Sequence, residues 1–438
     1  MSSKCSLFDI PINSIPGGTL PILIVDGKIS LMALVYARYL KLSGFAPTTI
    51  YQKIKSIKLI WDFFLIKKQG SIDNKTFLME FAEACYFGTN HIQDDALQWK
   101  KKTMISMDNI LRDISFFSRF ISNEFNAISL NMIEKKFKNT IDYKYIRDRK
   151  KTTDFLFHLD SRSKTYNSWQ FKRKITYDNV SSYKSFPPNR IDDFFAACSS
   201  LRDELLYFLL AYGGIRISEA LNLYIHDISI DRLYIGARIK LSHPSESKII
   251  YKDENNRKKT ITRQEYLLNN FGLNPRNLLA STDQNYAGWK GMLMHFKDET
   301  GLFSEVKWLT FEHGEHFYYL YKKYLETIRL HISCRHPYLF ISETGRPLTK
   351  TAATKAFLRI CSRIKLDNSN IHSLRHFYGF YCANVLKLNR EVTKEMLHHK
   401  SLDATNKYYH LSQETIHNEL EQAFRKLKYI ESQEDLES

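Results

Sequence analysis

The sequence predicts a mainly α-helical protein with a small antiparallel β-sheet, an α+β fold arranged in two lobes. Apolar residues recur every three to four positions through the first third of the chain, which is the period of a helix buried along one face. A shorter segment, 228–239, alternates apolar and polar residues as a half-buried strand does. A polar, basic stretch separates these parts, and 438 residues exceed what one hydrophobic core ordinarily holds.

The first lobe is predicted to consist of helices behind a short N-terminal arm. Residues 1–28 contain brief apolar runs broken by proline and glycine, and we interpret them as the arm. Residues 29–145 are predicted as a helical domain. Its clearest helix is the stretch 50–64, where isoleucines and aromatic residues follow 3–4 spacing, and a second helix is predicted over 104–120.

The second lobe follows a basic linker at residues 146–184. This linker carries ten lysines and arginines against four aspartates, so it either lies against a polyanion or is an ordinary solvated connector. Residues 185–438 are predicted as one mixed domain. Within it, about 242–305 do not fit a compact hairpin and are interpreted as an insertion, and an amphipathic helix is predicted at about 412–430.

The charge of the chain favours a polyanionic partner. Lysine and arginine number 64 against 47 acidic residues, which gives a net charge of +17. A surplus of this size is typical of proteins that bind nucleic acid, although a merely soluble basic protein has the same balance.

The sequence disfavours a disulfide scaffold, a membrane or secreted location, a metal site and an ATP-binding loop. The six cysteines are scattered without a CxxC pair, which predicts a reducing interior, and we expect a cytoplasmic protein without a secretory signal or membrane span. His331, Cys334 and His336 lack a fourth ligand at zinc spacing, so no metal is predicted. The GxxxxGK[ST] loop of ATP-binding proteins does not occur in the sequence either, and no cofactor is expected.

Two arginines, two histidines and a tyrosine stand in short polar motifs of the second lobe. They are Arg216 in GGIRISEAL, His372 and Arg375 in HSLRH, His399 in LHHK and Tyr408 in YYH. A tyrosine hydroxyl attacks a phosphodiester once a base accepts its proton, and guanidinium groups hold phosphate oxygens two at a time. These side-chain types are therefore sufficient for phosphoryl transfer without a metal.

The order Arg…His-x-x-Arg…His…Tyr resembles the tyrosine recombinase (phage integrase) family, and the stretch 36–64 resembles the core-binding helical domain of that family. The resemblance covers about 29–121 and 184–430. It implies a two-lobed DNA clamp, with a SAM-like core-binding domain ahead of a catalytic domain, and a site-specific recombinase that integrates or excises a mobile element. Its implied partners are double-stranded DNA and further copies of the chain in a homotetramer, in the bacterial nucleoid, with accessory proteins as an open alternative.

The resemblance also implies a role for each residue of the motif. Tyr408 forms a 3′-phosphotyrosyl bond, His372 accepts the phenol proton, and Arg216 and Arg375 stabilise the phosphate oxygens. His399 donates a hydrogen bond to one of those oxygens.

A lysine that protonates the departing 5′-oxygen completes the set in this family. Lys240, at the end of the LYIGARIK segment, is the first candidate. Lys290 in AGWKGM and Lys307 before WLTF are its rivals, because the insertion obscures the family's hairpin.

Two of the assigned residues have an adjacent alternative. His398 stands where the family has glycine, next to His399, and Tyr409 follows Tyr408. The nine-residue spacing from His399 to Tyr408 matches the family and favours that pair.

Basic residues outside the catalytic motif are predicted to contact DNA phosphates. These residues are Lys53, Lys55, Lys58, Lys150, Lys151 and Arg173. The terminal helix at 412–430 packs either on a neighbouring subunit or on its own domain. Two other functions share these features: a DNA-binding protein that keeps the fold without strand exchange, and a relaxing enzyme of the type IB topoisomerase kind.

Overall fold

Helices dominate the fold, and every strand pair among the described residues is antiparallel, which confirms the predicted mainly α fold with small antiparallel sheets. The computed structural model describes residues 5–12, 18–67, 74–90, 96–125, 185–230, 236–252, 256–367 and 369–409. The chain divides into two units, Met1–Thr176 with Ala280–Thr282 and Tyr177–Leu279 with Asp283–Ser438. The predicted linker at 146–184 and the predicted helix at 412–430 lie outside the described residues.

The first unit begins with a three-stranded sheet. Its strands, in sheet order, are β1 (Cys5–Pro11), β2 (Thr19–Val25) and β3 (Lys28–Ile29). Leu20 and Leu23 of β2 are buried in a core shared with the helices that follow. One face of this sheet is therefore covered, as is usual for an antiparallel sheet. The segment predicted as an arm at 1–28 is thus, where it is described, part of the core of the first unit.

Helices complete the described part of the first unit. They are α1 (Leu31–Leu42), α2 (Pro47–Lys67), α3 (Asn74–Phe87) and α4 (Met104–Phe125). The Ser30 hydroxyl caps α1 by accepting from the main-chain N–H of Ala33 at 3.4 Å. Ile50, Ile54 and Ile57 of α2 are buried, as their 3–4 spacing predicts.

Two of the predicted DNA-binding lysines form ion pairs inside the first unit. Lys53 Nζ lies 2.8 Å from Asp113 on α4, and Lys58 Nζ lies 2.5 Å from Asp62 on α2. A carboxylate at that distance offsets part of the attraction of a lysine for phosphate, and the contact of these two lysines with DNA stays a prediction. Lys55 is exposed. The remaining predicted contacts, Lys150, Lys151 and Arg173, lie outside the described residues.

The second unit is built around an apolar helix. Its described helices are α5 (Ile191–Ala196), α6 (Leu201–Tyr212), α7 (Ile217–Ala220), α8 (Arg263–Phe271), α9 (Phe311–Tyr324), α10 (Lys350–Arg363), α11 (His372–Phe380), α12 (Arg390–Met396) and α13 (Asp403–Asn406). All residues at 205–211 of α6 are buried, and the helix packs against α9 and α11. A helix that is apolar on all faces is expected at the centre of a domain.

The strands of the second unit form one four-stranded sheet and one hairpin. They are β4 (Ile228–Ile230), β5 (Ala237–Ser242), β6 (Lys248–Lys252), β7 (Lys258–Thr262), β8 (Phe296–Asp298) and β9 (Gly301–Glu305). The sheet has the order β4-β5-β9-β8, and β6 pairs with β7. Lys240 of β5 lies opposite Glu305 of β9. The end of the predicted insertion 242–305 therefore belongs to the main sheet, and the inserted part lies between β5 and β8.

Buried arginines fasten this inserted part to the second unit. Arg263, at the start of α8, forms an ion pair with Asp227. Arg276 donates to three backbone carbonyls at 2.7 to 2.9 Å. Because a buried guanidinium is stable only when its N–H groups are paired, these contacts fix the path of the segment.

None of the described helices is both long and apolar enough to cross a membrane. Within the described ranges, no three or more His, Cys, Asp and Glu side chains gather in a way that could hold a metal ion.

Candidate active site

Arg375 is the buried centre of a cluster of motif residues. It lies on α11 and is 3% exposed. Its guanidinium donates to the carbonyl oxygens of Gly214 at 2.5 Å and Leu397 at 2.7 Å, and it lies 3.8 Å from the Glu219 carboxylate. Burial lowers the pKa of Arg375 to about 10, against the opposing charge of Glu219. This side chain joins the GGIRISEAL, HSLRH and LHHK motifs, which are far apart in sequence.

Arg216 stands at the start of α7, directly after a turn of two glycines. Gly214 has a φ of +64°, and a Cβ at this position would lie 2.5 Å from the ring of Tyr378, so the turn requires glycine. Glu219 accepts from the main-chain N–H of Arg216 at 2.7 Å and from its guanidinium at 2.5 Å. Arg375 lies 3.8 Å from the same carboxylate, so the two guanidinium groups share Glu219.

Two histidines share one face of α11. The ring centroids of His372 and His376 are 4.6 Å apart, and His376 Nδ1 lies 2.9 Å from the Tyr408 hydroxyl. The sequence assigned the phenol proton to His372, but His376 makes the hydrogen bond. Desolvation, followed by the charges of Lys407 and Arg375, lowers the pKa of His376 to about 4.

The pKa of His372 is also lowered, to about 3, although part of the residue remains exposed. Desolvation of the ring is the largest cause, and the charges of His376 and Arg375 follow. Both rings are therefore neutral near pH 7, and a neutral imidazole can accept a proton.

The adjacent histidines of the LHHK motif have different partners. His399 Nδ1 lies 2.8 Å from Thr405 Oγ1, whereas His398 Nδ1 lies 3.0 Å from Ser304 Oγ on β9. His398 has a φ of +52°, the left-handed region that glycine adopts most easily, which explains why glycine is usual there in the family it resembles. Burial, together with nearby arginine charge, lowers the pKa of both rings to about 3.

The two adjacent tyrosines also have different hydrogen-bond partners. Tyr408 is 1% exposed, and its ring covers Gly379, where a Cβ would lie 2.5 Å from the ring. The hydroxyl of Tyr409 lies 2.5 Å from Thr393 Oγ1 and 2.7 and 2.8 Å from two backbone carbonyls next to the start of α12. Of the two, Tyr408 is the one that contacts a histidine of the cluster.

The lysine chosen from the sequence contacts the hairpin of the sheet. Lys240 Nζ lies 2.6 Å from Asp298 and 2.5 Å from Thr300 Oγ1, around the turn that joins β8 and β9. Lys307 lies close enough to His398 to lower its pKa, and Lys290 is exposed. Among the described residues, the contacts of Lys240 are thus made with the hairpin.

Lys407 is a cation of the cluster that sequence reasoning missed. Its Nζ lies 5.0 Å from the ring centroid of Tyr408. Desolvation, followed by the charges of Arg375 and Arg216, lowers the pKa of Lys407 to about 8. Its position directly before Tyr408 in the sequence could have indicated that it lies near the active site.

Positive charge dominates this site. Arg216 and Arg375 share the Glu219 carboxylate, and the charges of both arginines lower the pKa of Lys407. Their repulsion contributes to the low pKa values of the histidines between them. A bound phosphate would relieve this repulsion, so the arrangement favours an anion whose negative charge grows during a reaction.

Part of the second unit matches a known protein family. Residues 305–415 match the model of the phage integrase family. The matched segment contains the HSLRH, LHHK and YYH motifs and begins after Arg216 and Lys240. No curated protein matches the chain in sequence.

Several solved structures resemble the chain at low sequence identity. A XerH site-specific recombinase bound to difH substrate is 15% identical, with 84% of this chain and 79% of that chain covered and a TM-score of 0.45. A Tn1549 transposon integrase in complex with circular intermediate DNA is 13% identical, with 90% of this chain and 99% of that chain covered and a TM-score of 0.46. A lambda integrase dimer bound to a COC′ core site is 13% identical, with 86% of this chain and 75% of that chain covered and a TM-score of 0.41.

Proposed function

We propose that the chain, whose residues 305–415 match the phage integrase family, is a tyrosine recombinase that cuts and rejoins double-stranded DNA through a 3′-phosphotyrosyl intermediate. The observation that carries this proposal is the hydrogen bond between Tyr408 and His376 beside the buried Arg375. It unites a nucleophile, a neutral base and a cation in one place. The reaction would integrate or excise a mobile element, with copies of the chain assembled on two DNA sites.

The first chemical step transfers a DNA phosphoryl group to Tyr408. The phenol oxygen forms a bond to phosphorus while the bond to the 5′-oxygen breaks, and the phenol proton passes to a neutral imidazole. Nδ1 of His376, 2.9 Å from the hydroxyl, is positioned to accept it. His372, whose ring is adjacent, then contacts the phosphate.

The transition state gains its stability from cations that are in place before the reaction. Arg216 is fixed by Glu219, and Arg375 by two backbone carbonyls, so neither guanidinium has to reorganise when negative charge grows on the phosphate. When Thr405 donates to Nδ1 of His399, the proton of the neutral ring is on Nε2, from which it can bond a phosphate oxygen.

Rejoining reverses the first step on a second duplex. The 5′-hydroxyl of that duplex attacks the phosphotyrosyl bond, and Tyr408 leaves as a phenol. Because the covalent link preserves a phosphoester bond, no nucleotide hydrolysis is required. Two such exchanges through a four-way junction complete recombination.

Covalent capture from a mixed DNA pool tests this function. Nicked suicide duplexes with a randomised centre are incubated with the full chain in EDTA, and denaturant-resistant adducts are isolated. We expect adducts whose recovered DNA shares one recurrent sequence and whose released strand carries a free 5′-hydroxyl. A chain that binds the pool but yields no adduct would be a DNA-binding protein without strand exchange.

The products formed from the recovered sequence distinguish the remaining alternative. A recombinase exchanges strands between two plasmids that carry the site. A type IB topoisomerase-like enzyme instead relaxes supercoiled plasmid without exchange, and this result would overturn the proposal of recombination.

The choice between the two histidines of α11 gives a further prediction. We expect His376→Ala to slow adduct formation by about 100-fold or more, the usual contribution of a general base. His372→Ala is the matched variant, one helical turn away, and should retain more activity. Normal adduct formation by His376→Ala, with a large loss in His372→Ala, would restore the assignment made from sequence.

A further inference from the structure

Lys407 stands at the active site without a described counter-ion. Its Nζ lies 5.0 Å from the ring centroid of Tyr408. Its charge also contributes to the low pKa values of His372, His376 and His399. Within the described part of the chain, no carboxylate lies within ion-pair distance of it.

Lys240 presents the opposite situation. Its ammonium forms an ion pair with Asp298 and a hydrogen bond with Thr300, and it lies over the ring of Phe303 at 4.2 Å. To act on DNA, Lys240 would first have to break that ion pair. Lys407 has no such cost among the described residues, and it is next to the nucleophile in the chain.

We propose that Lys407 is a further catalytic residue, the acid that protonates the 5′-oxygen as it leaves. This inference rests on the proposed function. In the step, the phenol oxygen of Tyr408 bonds to phosphorus and the bond from phosphorus to the 5′-oxygen breaks. The electron pair of that bond stays on the 5′-oxygen, which takes a proton from the Lys407 ammonium and leaves as a hydroxyl. The neutral amine takes the proton back from the 5′-hydroxyl that attacks during rejoining.

The properties of the Lys407 ammonium suit this role. With a pKa of about 8 it is mostly protonated near pH 7, yet it gives up a proton far more easily than an ordinary lysine. The close arginines Arg216 and Arg375 cause part of this shift, so the groups that bind the phosphate also prepare the acid.

A DNA substrate with sulfur in place of the leaving 5′-oxygen tests the proposal. A thiol has a pKa of about 8.5, so a thiolate leaves without protonation. The substrate is the sequence recovered by covalent capture, made in oxygen and sulfur forms. We expect Lys407→Met to slow adduct formation by about 100-fold or more on the oxygen form, the usual size of acid catalysis, and to approach the wild-type rate on the sulfur form.

Two matched variants complete the test. Lys407→Arg keeps the positive charge but not a proton that is easily released, so it should show the same defect on oxygen and the same rescue by sulfur. Lys240→Met should show the same ratio of oxygen-form to sulfur-form cleavage rates as the wild-type chain. Melting temperature and DNA binding report whether each variant is folded.

Each result decides the matter. Equal slowing of Lys407→Met on both substrates, or normal cleavage of the oxygen form by Lys407→Arg, overturns the role as an acid. Rescue by sulfur in Lys240→Met alone returns that role to Lys240. Failure of the wild-type chain to form adducts on either substrate would contradict the proposed function itself, which is a different outcome.

Discussion

We expect Tyr408→Phe to form no covalent adduct with DNA while it folds and binds DNA as the wild-type chain does. The substitution removes the one atom that would bond to phosphorus, so the loss of adduct should be complete. The phenylalanine ring keeps the buried position over Gly379. The hydrogen bond to His376 is lost, which corresponds to about 1 kcal/mol in the free energy of unfolding.

The measurement is the denaturant-resistant adduct on a nicked suicide duplex, with the melting temperature of each protein measured beside it. Tyr409→Phe is the matched control, because it removes the same oxygen one residue later in the chain. That hydroxyl bonds Thr393 and two backbone carbonyls. Tyr409→Phe should therefore lose stability yet still form adducts. An adduct that persists in Tyr408→Phe and disappears in Tyr409→Phe would transfer the nucleophile to Tyr409.

Local patterns in the sequence were sufficient for much of the fold. The 3–4 spacing of Ile50, Ile54 and Ile57 predicted their burial in α2. The order of the short motifs also predicted residues that converge, since Arg375 joins the Gly214 turn to Leu397. Both results follow from information within one helix or one motif.

Pairing between distant segments could not be predicted in this way. Lys240 pairs with Glu305 across the inserted segment, so the end of the predicted insertion is a strand of the main sheet. The ion pair of Lys53 with Asp113, on another helix, could not be predicted from the sequence either. Sequence spacing does not reveal which carboxylate meets which lysine, because tertiary packing decides it.

The roles within the active site show the same limit. His376 follows His372 by one helical turn, so the sequence could indicate a shared face. It could not show which ring meets Tyr408, because that depends on the path of the chain after α13. Lys407 was missed for the same reason, since its charge matters only once Arg216 and Arg375 are beside it.

Arg375 is the side chain whose replacement should affect both stability and activity most. Arg375→Ala removes the donors for two carbonyls in a buried site and leaves Glu219 with less compensating charge. Loss of one partner from a buried charged network typically costs about 3–5 kcal/mol of unfolding free energy. We therefore expect Arg375→Ala to be poorly folded, which makes it a weak test of catalysis.

Arg375→Lys is the sharper variant. A lysine keeps the positive charge but cannot donate to Gly214 and Leu397 with the fixed fork of a guanidinium. We expect adduct formation in the folded fraction to fall by about 100-fold or more, as it does when a preorganised transition-state donor is lost. The rate is measured on the nicked duplex after the folded fraction has been determined by thermal melting.

Arg329→Lys supplies the matched control for this loss. Arg329 is also buried in the second unit and also donates to two backbone carbonyls, those of Tyr338 and His336. Its replacement should lower the melting temperature similarly while the folded protein still forms adducts. If both lysine variants lose adduct formation equally, the effect of Arg375 is only structural. If Arg375→Lys alone loses it, the buried guanidinium acts on the phosphate, as a cation held rigidly by backbone carbonyls should.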